Sequence, residues 1–214
     1  MEIGVVGLGK MGSQIAQKLS DSSFTVFGYD QDEELSKNLS RSYEIDNNLS
    51  SLMGRFTSKK IIWLMVPSGD PTNDLIKELS KLMNTGDIII DGGNSYYKDS
   101  INNSKICSQK GISFLDCGTS GGVWGLKNGF CLTIGGSENT YKEVLEIFIT
   151  LSTAETKGGL FVGESGSGHF VKMIHNGIEY GMMQSIAEGL EILKNKTEYN
   201  LKLDEITQNW RTGS

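Results

Sequence analysis

Proline, cysteine and histidine are scarce in this sequence and positive charge is not in excess, and each shortage narrows what the chain encodes. Two prolines among 214 residues leave few rigid loops, while 27 glycines supply many tight turns between strands and helices. The three cysteines, Cys107, Cys117 and Cys131, are odd in number and form no CxxC pair. That excludes a disulfide framework and suits a reduced, cytoplasmic setting. They read as small buried hydrophobes, with a catalytic thiol as the alternative. Two histidines cannot build a His-rich metal site, and no metal is expected. Twenty basic against 26 acidic residues give a net charge of −6 with no basic stripe, which argues against a nucleic-acid partner. An anionic small molecule stays compatible, because a few local cations decide that. No apolar stretch approaches the ~20 residues of a membrane helix. The run Ile3–Val6 has no basic region before it and breaks at Gly7, too early for a signal peptide. No membrane partner is expected.

What is present is alternation. Short apolar runs at Ile3–Val6, Phe24–Tyr29, Ile61–Val66, Ile88–Ile90, Ile112–Leu115 and Phe130–Ile134 read as buried strands. Helical patterns lie between them, with Met11, Ile15, Ala16 and Leu19 on one face, and Leu75, Leu79, Leu82 and Met83 on another. Strands alternating with helices imply a parallel sheet covered on both faces. After about residue 165 the strand signal stops. Helix-spaced apolar residues from Val171 to Leu193 predict one long helix over 168–194, and a second over 203–210. The expected class is α/β, a Rossmann-type doubly wound sheet over residues 1–165, followed over 166–214 by the start of an all-helical domain.

Gly7-Leu8-Gly9-Lys10-Met11-Gly12 is a GxGxxG that follows a strand and opens a helix, the context that gives the motif meaning. Its glycines permit a tight turn, close approach of a pyrophosphate, and close packing of helix on strand. The amides of the helix N-terminus then face the phosphates. A plain βα turn is the alternative. Asp30 lies at the end of the second strand, where an acidic residue binds ribose hydroxyls and repels the extra phosphate of NADP. Gln31 follows it in place of an arginine, so NAD is favoured over NADP; the alternative is that Asp30 only caps the next turn. Val66 and Pro67 end the third strand, where this kind of sheet contacts the cofactor.

Four further segments hold polar chemistry: Asp91-Gly92-Gly93-Asn94-Ser95, Gly118-Thr119-Ser120-Gly121-Gly122, Gly166-Ser167-Gly168, and Lys172 to Tyr180 on the long helix. The first two are expected just after strand ends, where open α/β sheets bind ligands. With Lys172 at zero on a helical wheel, His175 falls at about −60°, Asn176 at about +40° and Glu179 at about −20°. These four polar groups therefore share one face, either as a site or as a solvated stripe.

In this order the motifs resemble those of the decarboxylating 6-phosphogluconate dehydrogenases, within the β-hydroxyacid dehydrogenase group. The resemblance rests on the glycine fingerprint, Asp-Gly-Gly-Asn-Ser at 91–95, Ser-Gly-Gly at 120–122, and Lys-x-x-His-Asn-x-x-Glu-Tyr at 172–180, and it covers essentially the whole chain. It implies oxidation and decarboxylation of 6-phosphogluconate to ribulose 5-phosphate, in the pentose phosphate pathway. Lys172 would be the general base and would polarise the new ketone; Glu179 would be the general acid for the enediol. Asn94, Ser120, Gly121, Gly122, His175, Asn176 and Tyr180 would position the sugar-acid phosphate. His169 reads as structural. Family members continue into a large helical domain that forms a dimer, and this sequence ends where that domain begins. The expectation is of a chain that lacks most of it and exposes apolar helix surface. Another β-hydroxyacid dehydrogenase, or a non-catalytic NAD-binding fragment, are the competing readings.

Overall fold

The computed structural model describes residues 1–34 and 42–213. Its elements are β1 (Glu2–Val6), α1 (Lys10–Ser20), β2 (Thr25–Tyr29), β3 (Glu44–Asp46), α2 (Leu49–Arg55), β4 (Ile61–Leu64), α3 (Asp70–Leu82), β5 (Ile88–Asp91) and α4 (Tyr97–Ser108). There follow β6 (Ser113–Ser120), a 3-10 turn (Gly122–Trp124), α5 (Gly125–Asn128), β7 (Cys131–Gly136), α6 (Glu138–Glu143), α7 (Leu145–Leu151) and β8 (Leu160–Gly163). The chain closes with α8 (Ser167–Asn195), a 3-10 turn (Thr197–Tyr199) and α9 (Leu203–Gly213). By its own packing it divides into two units, Met1–Lys172 and Met173–Ser214.

The first unit is built on one eight-stranded sheet of order β3-β2-β1-β4-β5-β6-β7-β8. Its apolar runs are continuous because both faces are covered, as parallel sheets require. Neighbouring residues go to opposite sides. Val5, Trp63, Ile88 and Ile90 join one core with Ile15, Ala16 and Leu19 of α1. Val6, Ile62, Leu64 and Ile89 join the other, with Leu52 of α2 and Ile76 and Leu79 of α3. Fully burying side chains of this size stabilises the fold by about 1.5–3 kcal/mol each.

The sheet is parallel except at one pair. β6 and β7 run antiparallel, with Ser120 opposite Cys131 and Leu115 opposite Gly136. This corrects the expectation of an all-parallel sheet. The connection from Gly121 to Phe130 is shorter than the dozen or more residues that a parallel crossover needs, so the chain can only turn back. A second correction concerns β6 itself, which extends through Gly118, Thr119 and Ser120 instead of ending at Leu115. Strand pairing with β7 draws this segment into the sheet.

β1 pairs with β2 on one side and β4 on the other. The chain therefore leaves β1 in one direction and returns on the opposite flank, which opens a crevice at the carboxyl ends of these strands.

The second unit consists of the remainder of α8, the 3-10 turn and α9. Ile174, Ile178, Met182 and Ile186 are exposed on its long helix. Among the described residues, no helix is long and apolar enough to cross a membrane.

Candidate active site

A cleft of ≈ 700 Å³ opens at the switch point, lined among others by Gly7, Gly9, Asp30, Val66, Pro67, Gly93 and Asn94. Its floor is the turn from β1 to α1. Gly7 takes φ +90°, and a Cβ there would lie 2.4 Å from the Met65 carbonyl oxygen, so only glycine fits. Gly12 packs so closely that a Cβ would meet the Gly7 oxygen at 1.8 Å. Gly9 instead faces open space, leaving room for a phosphate against the backbone. It is the N-cap of α1, with no side-chain cap on the helix. The amides of the first turn have no intrahelical acceptor, so an anion can take them. These features fit a dinucleotide pyrophosphate. The side chains of Leu8 and Met11 go elsewhere: Leu8 is fully buried in the core and Met11 packs against it. Lys10 is exposed at the helix start.

Asp30 holds the cleft together. Its Oδ2 accepts from the Leu8 amide at 2.6 Å and its Oδ1 from the Asp32 amide at 2.9 Å. The carboxylate thus ties the end of β2 to the glycine turn and caps its own loop. Each oxygen retains a second lone pair for a ribose hydroxyl. Asp32, Asp74 and Glu78 also line the cleft, and among the described residues no lysine or arginine does. Burial, reinforced by the carboxylates of Glu78 and Asp30, pushes the Tyr29 hydroxyl up, so it stays protonated.

The second cluster lies along β5, β6 and the start of α8. Lys172 Nζ donates to Ser120 Oγ at 3.1 Å. The two glycines after Ser120 both take positive φ, +149° at Gly121 and +51° at Gly122, and turn the chain sharply away. Asn94 lies in the turn after β5 and reaches the cleft.

Beneath these groups is a buried polar layer that the sequence reading missed. Asp91 and Asp116 stand directly opposite each other in β5 and β6, both fully buried. Asp116 accepts from the amides of Gly166 at 2.6 Å and His169 at 2.9 Å. Asp91 Oδ1 accepts from the Gly93 amide at 3.1 Å, shaping the Asn94 turn. Burial pushes the Asp91 carboxyl up; His169, Ser95 and the Gly93 amide oppose that shift, and Asp116 adds to it. His169 is buried, with Nδ1 and Ser100 Oγ 2.7 Å apart. A polar residue interrupting an apolar strand was the available signal at both aspartates.

In the second unit, α8 carries His175, Asn176, Glu179 and Tyr180 in uninterrupted helix. His175 Nδ1 and Glu179 Oε2 are 3.8 Å apart, and both side chains are more than half exposed. Tyr180 is exposed and Asn176 half-buried.

Residues 2–161 match the NAD binding domain of 6-phosphogluconate dehydrogenase, and residues 168–214 match the C-terminal domain of the same enzyme. A Haloferax volcanii protein named as an NAD(+)-dependent, decarboxylating 6-phosphogluconate dehydrogenase is 36% identical over 100% of this chain and 70% of its own length. A Bacillus subtilis protein of the same name is 36% identical over 99% of this chain and 47% of its own. Among solved structures, Plasmodium falciparum 6-phosphogluconate dehydrogenase, studied with NADP+ and with 6-phosphogluconate, superposes with a TM-score of 0.86 at 32% identity. It is matched over 100% of this chain and 48% of its own. With both domain matches and a relative aligned over the whole of this chain, the chain belongs to the 6-phosphogluconate dehydrogenase family.

Proposed function

We propose that this chain carries the coenzyme site and the reacting lysine of an enzyme that oxidises and decarboxylates 6-phosphogluconate, with NAD as the preferred cofactor. Residues 1–165 are the dinucleotide-binding domain in this reading, and 166–214 begin the helical one. The observation that carries it is Lys172 hydrogen-bonded to Ser120 at 3.1 Å, on the sheet whose Asn94 turn also lines the cofactor cleft. When bound, NAD would supply the acceptor for the hydride on C3 of the sugar acid. Lys172 takes the proton of the 3-hydroxyl as that C–H bond breaks, leaving a 3-keto acid. The C1–C2 bond then breaks, carbon dioxide leaves, and its electron pair moves onto the ketone oxygen. Lys172 returns its proton there, giving an enediol, and Glu179 protonates carbon to yield ribulose 5-phosphate. An ammonium aimed at a developing oxyanion acts without reorganisation, the usual source of such catalysis. Ser120 holds Lys172, while Asn94, Gly121, Gly122, His175, Asn176 and Tyr180 position the sugar acid and its phosphate.

The preference for NAD rests on charge. A 2′-phosphate would enter a cleft lined by Asp30, Asp32, Asp74 and Glu78, with no compensating cation among the described lining residues. The names of the Haloferax and Bacillus relatives agree with this. The exposed Ile174, Ile178, Met182 and Ile186 support a homodimer or larger assembly in the full-length form.

The test supplies the purified chain with 6-phosphogluconate and either NAD or NADP, and follows reduced cofactor by absorbance. Formation of NADH, faster than NADPH, is expected, and Lys172→Ala abolishes it while NAD binding persists. Turnover by that variant at the parent rate refutes the lysine's role. NAD binding without turnover restricts the reading to the coenzyme half, and failure to bind NAD overturns it.

A further inference from the structure

The geometry points to Asp116 and His169 as positioning residues, which fix the first turn of α8 and so set where Lys172 stands relative to Ser120 and the Asn94 turn. Its catalytic meaning rests on Lys172 being the reacting group, as proposed above; the tether itself stands on the hydrogen bonds.

The helix is capped from a distant strand. The first amides of a helix need acceptors, and a serine near the start ordinarily supplies one. The residue before the helix is Gly166, which has no side chain to offer, and the hydroxyl of Ser167 is buried with no hydrogen-bond partner among the described residues. The amides of Gly166 and His169 go instead to the two oxygens of Asp116, 50 and 53 residues away in sequence. A local cap would stabilise the helix end equally well. A cap supplied from β6 also locks that end to the strand whose last residue is Ser120. The negative charge is met by the positive end of a 29-residue helix.

Three contacts make the lock rigid. Thr133 Oγ1 on β7 donates to the Gly168 carbonyl at 3.0 Å. Gly168 touches both strands, since a Cβ there would lie 2.5 Å from the Thr133 oxygen and 2.6 Å from the Asp116 oxygen. One turn on, Gly118 leaves space for Lys172, whose own Cβ would be 2.5 Å from a Cβ at that position. Lys172 therefore cannot slide along β6 without steric overlap or loss of the cap.

His169 extends the lock sideways. Its amide is held by Asp116 and its ring by Ser100 on α4. α4 follows directly on the Asp91–Ser95 turn that carries Asn94. One buried residue thus joins the lysine helix to the turn at the cofactor cleft, and Asp91, opposite Asp116, shapes that turn through the Gly93 amide.

The experiment uses the full chain with lysine labelled at Cε, the Lys172 resonance being assigned by its loss in Lys172→Arg. Asp116→Asn keeps the side-chain volume and one acceptor but loses the charge and the second acceptor. The expected result is that the Lys172 resonance moves toward those of exposed lysines. Amide exchange at the first turn of α8 should quicken about fivefold, the equivalent of one weakened hydrogen bond. NAD binding, governed by the glycine turn of α1, should be unchanged. Thr133→Val, which removes the neighbouring tether, moves the same resonance in the same direction and serves if Asp116→Asn does not fold. A merely structural aspartate would lower the melting temperature and leave the Lys172 resonance in place; that outcome overturns the proposal. Failure of the parent chain to bind NAD would instead count against the proposed function, leaving the resonance result intact.

Discussion

Replacing Gly168 by alanine inserts one methyl group where α8 meets the sheet. The new Cβ would lie 2.5 Å from the Thr133 oxygen, 2.6 Å from the Asp116 oxygen and 2.8 Å from the Gly135 nitrogen. All three are backbone atoms in paired strands, so none can swing aside. Since real Cβ contacts stay above 3.0 Å, the helix must retreat by at least 3.0 − 2.5 = 0.5 Å. The retreat stretches the Thr133–Gly168 bond, now 3.0 Å, and the two Asp116 bonds. Overpacking costs about 1–3 kcal/mol. One or two weakened hydrogen bonds add about 1–2 kcal/mol, and the better helix propensity of alanine returns nearly 1 kcal/mol. The net loss is about 1–4 kcal/mol, a sizeable part of the roughly 5–15 kcal/mol that holds a typical domain together. Urea unfolding followed through Trp63, which is fully buried in the sheet core, measures it. With a slope of ~2 kcal/mol/M, the midpoint should fall by about 0.5–2 M without a change of slope. Gly189→Ala on the same helix meets nothing within 4 Å and is the control, expected to leave the midpoint unchanged or raise it. Equal midpoints for Gly168→Ala and its parent would refute the close approach.

Three other perturbations test separate parts of the structure. Asp30→Ala removes the acceptor of the Leu8 amide and the ribose contact together; NAD binding by calorimetry should weaken about tenfold and NADP binding less, and equal losses would sink the ribose assignment. Because burial raises the Asp91 carboxyl, the folded chain keeps that proton where the unfolded chain has released it. Its stabilising effect is full below the ordinary carboxylate range and is lost as pH rises through the folded value. The stability of Asp91→Asn relative to its parent should therefore increase from about pH 4 to about pH 7, and urea midpoints showing a flat difference would contradict this. Of the three cysteines only Cys131 is exposed, while burial pushes Cys107 up to about 12 and Cys117 higher. A thiol-reactive chromophore should therefore titrate one equivalent quickly and two more only on unfolding, and three quick equivalents would be inconsistent with this core.

The apolar strands were legible because each is a run of large aliphatic residues covered on both faces. β3 was not: Glu44-Ile45-Asp46 has one apolar residue, and it is a strand only because β2 offers it an edge. α4 was hidden for the opposite reason, since its buried face includes Ser100 and Asn103, which leave no apolar stripe to count. The reversal at β7 depends on the length of a loop more than on any residue type. Glycines of the cofactor turn are recognisable by spacing, because backbone geometry demands them wherever the turn occurs. The Asp116 cap carries no such spacing. Its partners lie some fifty residues downstream, and an aspartate within Phe-Leu-Asp-Cys looks like a strand irregularity until the helix is laid upon it.

The ends of the sheet have a consequence of their own. β3 spans three residues and β8 four, so the two open margins present few unpaired amides and carbonyls to a passing chain. Glu44 and Asp46 at one of them are engaged by Arg55 of α2, and Gly163 closes the other with φ +137°, a conformation that does not continue a pleat. A long flat margin would template edge-to-edge growth into fibres. Here the outermost strands stop before such templating can begin, so the sheet protects itself from self-addition by brevity at both rims.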